Sequence, residues 1–226
     1  MTRMNIIRKP FRYRNFGAVY WLIGINVLFF AASQLLGPEV KRYMTVFLTM
    51  IPSIVLEYKW VWTFVTYMFM HGSMTHLFFN MFGLFIFGRP VERQMGSMEF
   101  LLFYFMTGIL AGIFSFGIYL PAYLQYNNNI ILLGASGAIF AVQLAYAVLF
   151  PDSIIYIWGI LPLRAPVMVL GFTALELVFS IFRSNSGVAH LTHLAGFAFG
   201  WIYFLARFGI NPLRRLLGQR PRWPQR

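Results

Sequence analysis

A chain of 226 residues that is 59% hydrophobic and only 11% charged has too little polar surface to face water on all sides, since a soluble domain carries roughly 25% charged residues. The composition leaves an all-α protein embedded in lipid. Disulfides and thiolate metal sites are excluded because there is no cysteine. The net charge of +12 gathers at the two ends and in short loops, which argues against a nucleic-acid partner.

Residues 1–17 form a basic tail holding Arg3, Arg8, Lys9, Arg12 and Arg14. Six apolar stretches follow, read against the roughly 20 residues that a helix needs to cross a bilayer. They are Ala18–Leu36, Met74–Phe87, Met98–Leu120, Ser136–Phe150, Pro166–Phe182 and His190–Phe208. Between the first two, Gly37–Ser73 is amphipathic and aromatic. It predicts short helices in the interface, with Trp60, Trp62 and Tyr67 at headgroup level. Pro121–Gly134 carries no charge, and residues 209–226 close the chain with Arg214, Arg215, Arg220, Arg222 and Arg226.

Six spans place both ends on one side, together with Arg89, Arg93 and Arg164; the other side has Lys41, Arg42, Lys59 and Arg183. This asymmetry predicts cytoplasmic termini in a plasma membrane, around one domain at residues 18–208. The basic tails then touch lipid headgroups. The fourth stretch is short, about 22 Å against a hydrocarbon core of about 30 Å. Its first residue, Ser136, is therefore expected below the outer surface, on a central helix whose preceding loop is covered by protein.

Stretches two, four and six run in the same direction, so their first turns share the outer face. Those turns carry all four histidines, His71, His76, His190 and His193, and also Asn80. Polar side chains in membrane spans are rare and tend to be functional. His193, Gly196 and Gly200 fall on one helical face, and the two glycines let another backbone come close. Gly137 and Ala141 offer a matching face one residue after Ser136. An isolated serine among Gly134, Ala135 and Gly137 would read as a packing residue. Beside an imidazole it becomes a candidate nucleophile, with His193 as its base. His76 and Asn80, four residues apart, and the Ser136 N–H at a helix start are candidate oxyanion donors.

Acids are scarce on that face. Asp152 belongs to the cytoplasmic side, Glu39 and Glu57 to the first loop, so a Ser-His dyad is expected rather than a triad. Glu176, midway along the fifth stretch, reads equally as a protonated helix contact or as a cavity residue. The zinc signature H-E-x-x-H does not occur, and neither a metal nor a cofactor is expected.

Gly134-Ala135-Ser136-Gly137 opening a fourth stretch, His193-x-x-Gly196-x-x-x-Gly200 in a sixth and His76-x-x-x-Asn80 in a second together resemble the rhomboid family of intramembrane serine proteases. The segments TYMFMHGSMTHLFFNMFGLFIFG and VERQMGS extend the likeness, which runs from about Val19 to Phe208. The resemblance implies that Ser136 is the nucleophile, His193 the base, and His76 and Asn80 the oxyanion side chains, with Glu92 structural. It implies transmembrane proteins as substrates, cut near their outer ends. Access would be lateral, beside Pro166–Phe182 and a capping loop at Ser184–Ala189. Phe140 stands where some members have tyrosine, and Trp62-Thr63 where the family has Trp-Arg. His190 is read as a neighbour of the site and His71 as a loop residue. The alternatives are an inactive rhomboid relative that binds transmembrane clients, and a small channel or transporter. Oligomeric state stays open.

Overall fold

The computed structural model describes residues 11–157, 159–182 and 187–218, with the backbone alone at 182 and 187–189. The first helix, α1 (Ala18–Leu35), follows Gly17 in the left-handed region and has no cap from its own flank. Its cap comes from α6 (Arg89–Met95). Glu92 accepts the N–H groups of Ala18 at 2.6 Å and Val19 at 3.1 Å, and also the Ser97 hydroxyl. A carboxylate at the donor end of a helix meets both its unpaired N–H groups and its dipole.

The first connection folds as α2 (Pro38–Leu48), α3 (Pro52–Tyr58), α4 (Thr63–Thr66) and a 3₁₀ turn at Tyr67–Phe69. Pro38 and Pro52 open their helices, where no N–H is required. Trp60 and Trp62 stack at 5.1 Å, with Trp62 exposed. Tyr67 departs from expectation: it is buried, and its hydroxyl donates to the Gly108 carbonyl at 2.7 Å. Gly108 and Gly112 leave the room for residues 67 and 68, which is why the ring turns inward.

Helix α5 (Met74–Gly83) begins at Ser73, whose hydroxyl accepts the His76 N–H at 3.1 Å. A π-helical turn, Leu84–Gly88, joins it to α6, so the second stretch stays helical to Met95, beyond the expected Phe87. Next, α7 (Ser97–Tyr126) spans 30 residues, passing through Pro121. Glu99 near its start is buried and held by Arg207 at 2.7 and 2.8 Å and by the Tyr203 hydroxyl at 2.6 Å.

The chain continues as α8 (Ser136–Leu149), α9 (Ala165–Phe182), α10 (Gly187–Tyr203) with a π turn to Phe208, and α11 (Pro212–Leu216). Each of the six apolar stretches is helical. Among the described residues, α1 and α7 alone are long and apolar enough to cross a bilayer by those measures; α8 and α9 are shorter apolar helices. The all-helical expectation needs one correction. Ile154–Ile157 (β1) and Leu161–Arg164 (β2) pair antiparallel, with Ile154 opposite Arg164 and Ile157 opposite Leu161. The Ile-Ile-Tyr-Ile run suits a strand, and Gly159 supplies the left-handed turn residue.

Helix α8 sits in the middle, packed against α5, α6, α7, α9 and α10. Its alanines and glycine, from Gly137 through Ala147, are buried. The periphery is apolar: Trp21, Leu28, Phe78, Phe82, Ile113 and Leu177 are exposed. An exterior carrying this many exposed apolar side chains suits lipid rather than water. The capping loop expected at Ser184–Ala189 falls outside the fully described residues, as do both chain ends.

Candidate active site

The start of α8 is fixed from the first connection. Met50 and Leu132 exchange backbone hydrogen bonds at 3.1 and 2.9 Å, and the Gly134 N–H donates to the Tyr67 carbonyl at 2.9 Å. Gly134 has φ +113°, a conformation that side-chain-bearing residues rarely adopt. A methyl there would also sit 2.7 Å from His76 Nε2 and 3.6 Å from Asn80 Nδ2. The glycine is thus what lets α5 bring both side chains against the backbone leading to Ser136. Among the described residues no side chain caps α8, so its first N–H groups, which have no helical partners, stay available.

Helix α10 closes on α8 through its glycines. A Cβ on Gly196 would run into the Gly137 carbonyl, and one on Gly200 would meet Ala141 at 3.1–3.2 Å. The backbones approach so closely that His193 Nε2 lies 2.8 Å from Ser136 Oγ. Phe140, one turn along α8, stacks on the imidazole with centroids 4.5 Å apart and planes 6° from parallel. The missing tyrosine hydroxyl does not disturb that stack. Behind it, buried Thr192 shares hydrogen bonds with Ser115 at 2.7 Å and Tyr119 at 3.4 Å, tying α10 to α7. Nothing in the sequence reading pointed to Thr192, because a threonine beside a histidine carries no spacing signal.

The geometry brings Ser136, His193, His76 and Asn80 to one end of the bundle. Asn80 Nδ2 is buried and has no hydrogen-bond partner among the described residues, which leaves a donor uncommitted beside Gly134. His71 is buried in the connection before α5, its ring 5.0 Å from that of His76. Burial pushes its pKa down to about 4, and the neighbouring imidazole acts in the same direction. Glu92 stands apart, at the start of α1.

One expectation about acids is corrected. Glu39 pairs with exposed Arg42 at 3.0 Å and Glu57 receives the Tyr123 hydroxyl, so neither serves the histidines. Glu176 does reach them from α9. Its Oε1 lies 3.2 Å from His193 Nδ1, and its Oε2 is hydrogen-bonded to His190 Nδ1. The His193 contact meets the distance of an ion pair, and among the described residues His193 Nδ1 makes no hydrogen bond. Among the described residues these three side chains are also the one set whose donor atoms could gather around a small cation, all within 4.8 Å of one another.

A family model described as Rhomboid domain matches residues 58–209. The chain is 28% identical over 216 residues to Rhomboid-like protein 11, chloroplastic, of Arabidopsis thaliana, covering 89% of this chain and 69% of that protein. It is 30% identical over 144 residues to Rhomboid protease GlpG of Haemophilus influenzae, covering 63% and 68% of the two. With Rhomboid protease AarA of Providencia stuartii the identity is 29% over 171 residues, covering 64% and 55%.

Proposed function

The chain belongs to the rhomboid family, and from that membership we propose that it is a serine endopeptidase cutting transmembrane segments of single-pass membrane proteins near their outer ends. The family is membrane-embedded and its named relatives include proteases. The observation that carries the reading is the 2.8 Å contact of His193 Nε2 with Ser136 Oγ, at an end of the bundle that also holds His76 and Asn80.

In this mechanism a client helix unwinds at the outer end of α8. His193 Nε2 takes the Ser136 proton as Oγ attacks the scissile carbonyl. The oxyanion that forms receives hydrogen bonds from the Ser136 N–H, Asn80 Nδ2 and His76. The proton on Nε2 passes to the leaving amine, and water then hydrolyses the acyl-enzyme. The steps call on groups of the protein and a water molecule, with no metal or cofactor. Residues 18–208 are the protease domain, with six spans, a site facing outward and basic tails 1–17 and 209–226 in the cytoplasm.

The test is fluorophosphonate labelling of purified protein in detergent, with Ser136→Ala, His193→Ala and His190→Ala beside wild type. Labelling lost in the first two and retained in the third supports the reading. A folded wild type that stays unlabelled in detergents and in lipid favours the inactive, client-binding relative. Such relatives typically lose the serine or the histidine, and here Ser136 and His193 are both present.

A further inference from the structure

We propose that Glu176 is a positioning residue for His193, so that the site works as a Ser136–His193 pair oriented by Glu176, which His190 steadies. The proposal rests on the protease reading above.

A carboxylate midway along an apolar helix is costly unless it is paired. Glu176 is 17% exposed and turns both oxygens toward imidazoles, one on His193 and one on His190. The nitrogen it approaches on His193 is Nδ1; the opposite nitrogen, Nε2, faces Ser136 Oγ at 2.8 Å. A carboxylate at Nδ1 favours the tautomer with its proton there, and that tautomer leaves Nε2 as an acceptor for the serine proton. His190 lies three residues before His193 on α10 and fixes the second oxygen, so the carboxylate cannot swing away without losing a hydrogen bond. Phe140 covers the flat face of the His193 ring. Beyond these contacts, His193 Nδ1 has no hydrogen-bond partner among the described residues.

The 3.2 Å approach is loose, and contacts of this kind tighten when substrate is bound. During attack the Ser136 proton moves to Nε2 and the imidazole becomes a cation. Glu176 keeps its charge, takes no proton, and stabilises that cation through Nδ1–H. When the amine leaves, Nε2 gives up its proton and the neutral ring returns. His76 on α5 and His190 on α10 also lie near His193, and as imidazoles neither supplies the negative charge.

The experiment measures fluorophosphonate inactivation of the full chain in detergent, separating the maximal rate constant from the inhibitor dissociation constant. Wild type, Glu176→Gln and Glu176→Asp are compared, with Ser136→Ala to show that the label marks Ser136. The expected result is a rate constant lowered roughly 10²-fold in Glu176→Gln, a dissociation constant unchanged within about threefold, and partial recovery in Glu176→Asp. Nitrogen-15 spectra of histidine-labelled protein report the His193 tautomer whether or not the enzyme reacts. A proton on Nδ1 in wild type, redistributed in Glu176→Gln, is expected. An unlabelled wild type overturns the protease reading and leaves the spectra to decide the positioning. A folded Glu176→Gln that reacts at the wild-type rate with an unchanged tautomer overturns the proposal. So does a variant whose only change is lost inhibition by added zinc, since the three side chains would then be a metal site.

Discussion

Gly196 of α10 rests against the Gly137 carbonyl of α8, with no space for even a methyl between them. The contact is backbone on backbone, so nothing flexible absorbs an added atom. Gly196→Ala therefore forces α8 and α10 apart. The 2.8 Å bridge between Ser136 and His193 hangs on that separation and opens with it. Overpacking of this kind costs about 1–3 kcal/mol, and the serine reactivity is expected to fall by roughly 10²-fold because the base is out of reach. Gly171→Ala is the matched control, since a Cβ there meets nothing within 4 Å. Thermal unfolding and labelling rate, measured on both, check the pair. A Gly196→Ala enzyme of wild-type reactivity would sink the argument.

Phe140 and His193 make the second relationship that is open to test. The parallel stack limits how the imidazole tilts about the Ser136 bond. Aromatic pairs contribute about 0.5–1.5 kcal/mol beyond their buried area. Phe140→Ala should slow labelling by up to about tenfold, while Phe140→Tyr, which preserves the ring, should stay near wild type. Equal rates in all three proteins would show that the stack has no hold on the base.

These contacts explain which parts of the site were legible in the sequence. Glycine spacing at 196 and 200 needs only helical periodicity, and the matching small face at Gly137 and Ala141 follows in the same way. His76 and Asn80 were found by the same rule. Glu176 was visible as an anomaly but not as a partner, because periodicity fixes the faces within one helix and says nothing about the rotation of α9 against α10. Tyr67 was misplaced for a related reason. An aromatic residue in an amphipathic loop reads as interfacial, and the pocket that draws it inward is made by Gly108 and Gly112 on α7. The hairpin from Ile154 to Arg164 leaves no sequence signal, since four-residue strands are too short to show alternation against an apolar background.

Glu92 gives a prediction about stability rather than rate. Its carboxylate holds Ala18 and Val19 at the start of α1 and also takes the Ser97 hydroxyl. Glu92→Ala strands buried donors that no local side chain replaces. Hydrogen bonds to charged groups contribute about 1.5–3 kcal/mol each, so a loss of about 3–5 kcal/mol is expected. Reversible unfolding in mixed detergent micelles measures it. The folded fraction should still label at the wild-type rate, because Glu92 lies at the opposite end of the bundle from Ser136. A slowed folded fraction with unchanged stability would place Glu92 in the chemistry instead.

His71 ties the fold to pH. In the folded protein burial lowers its pKa from 6.5 to about 4, so the ring stays neutral there. An unfolded chain has no such constraint and takes up a proton near the ordinary value. Between about 6.5 and 4 the unfolded state thus binds more protons than the native state, and stability falls as the pH falls. Above that window the contribution is complete; below about 4 both states are protonated and the loss levels off. Going from pH 7 to pH 4.5 the linkage amounts to about 2–3 kcal/mol for this one group. His71→Asn removes the titration but keeps a polar side chain. Its acid destabilisation over the same interval should be smaller than that of wild type by about that amount, measured by unfolding in detergent at the two pH values. Parallel loss of stability in both proteins would mean that other groups drive the acid response and that His71 is no more buried in solution than an ordinary loop histidine.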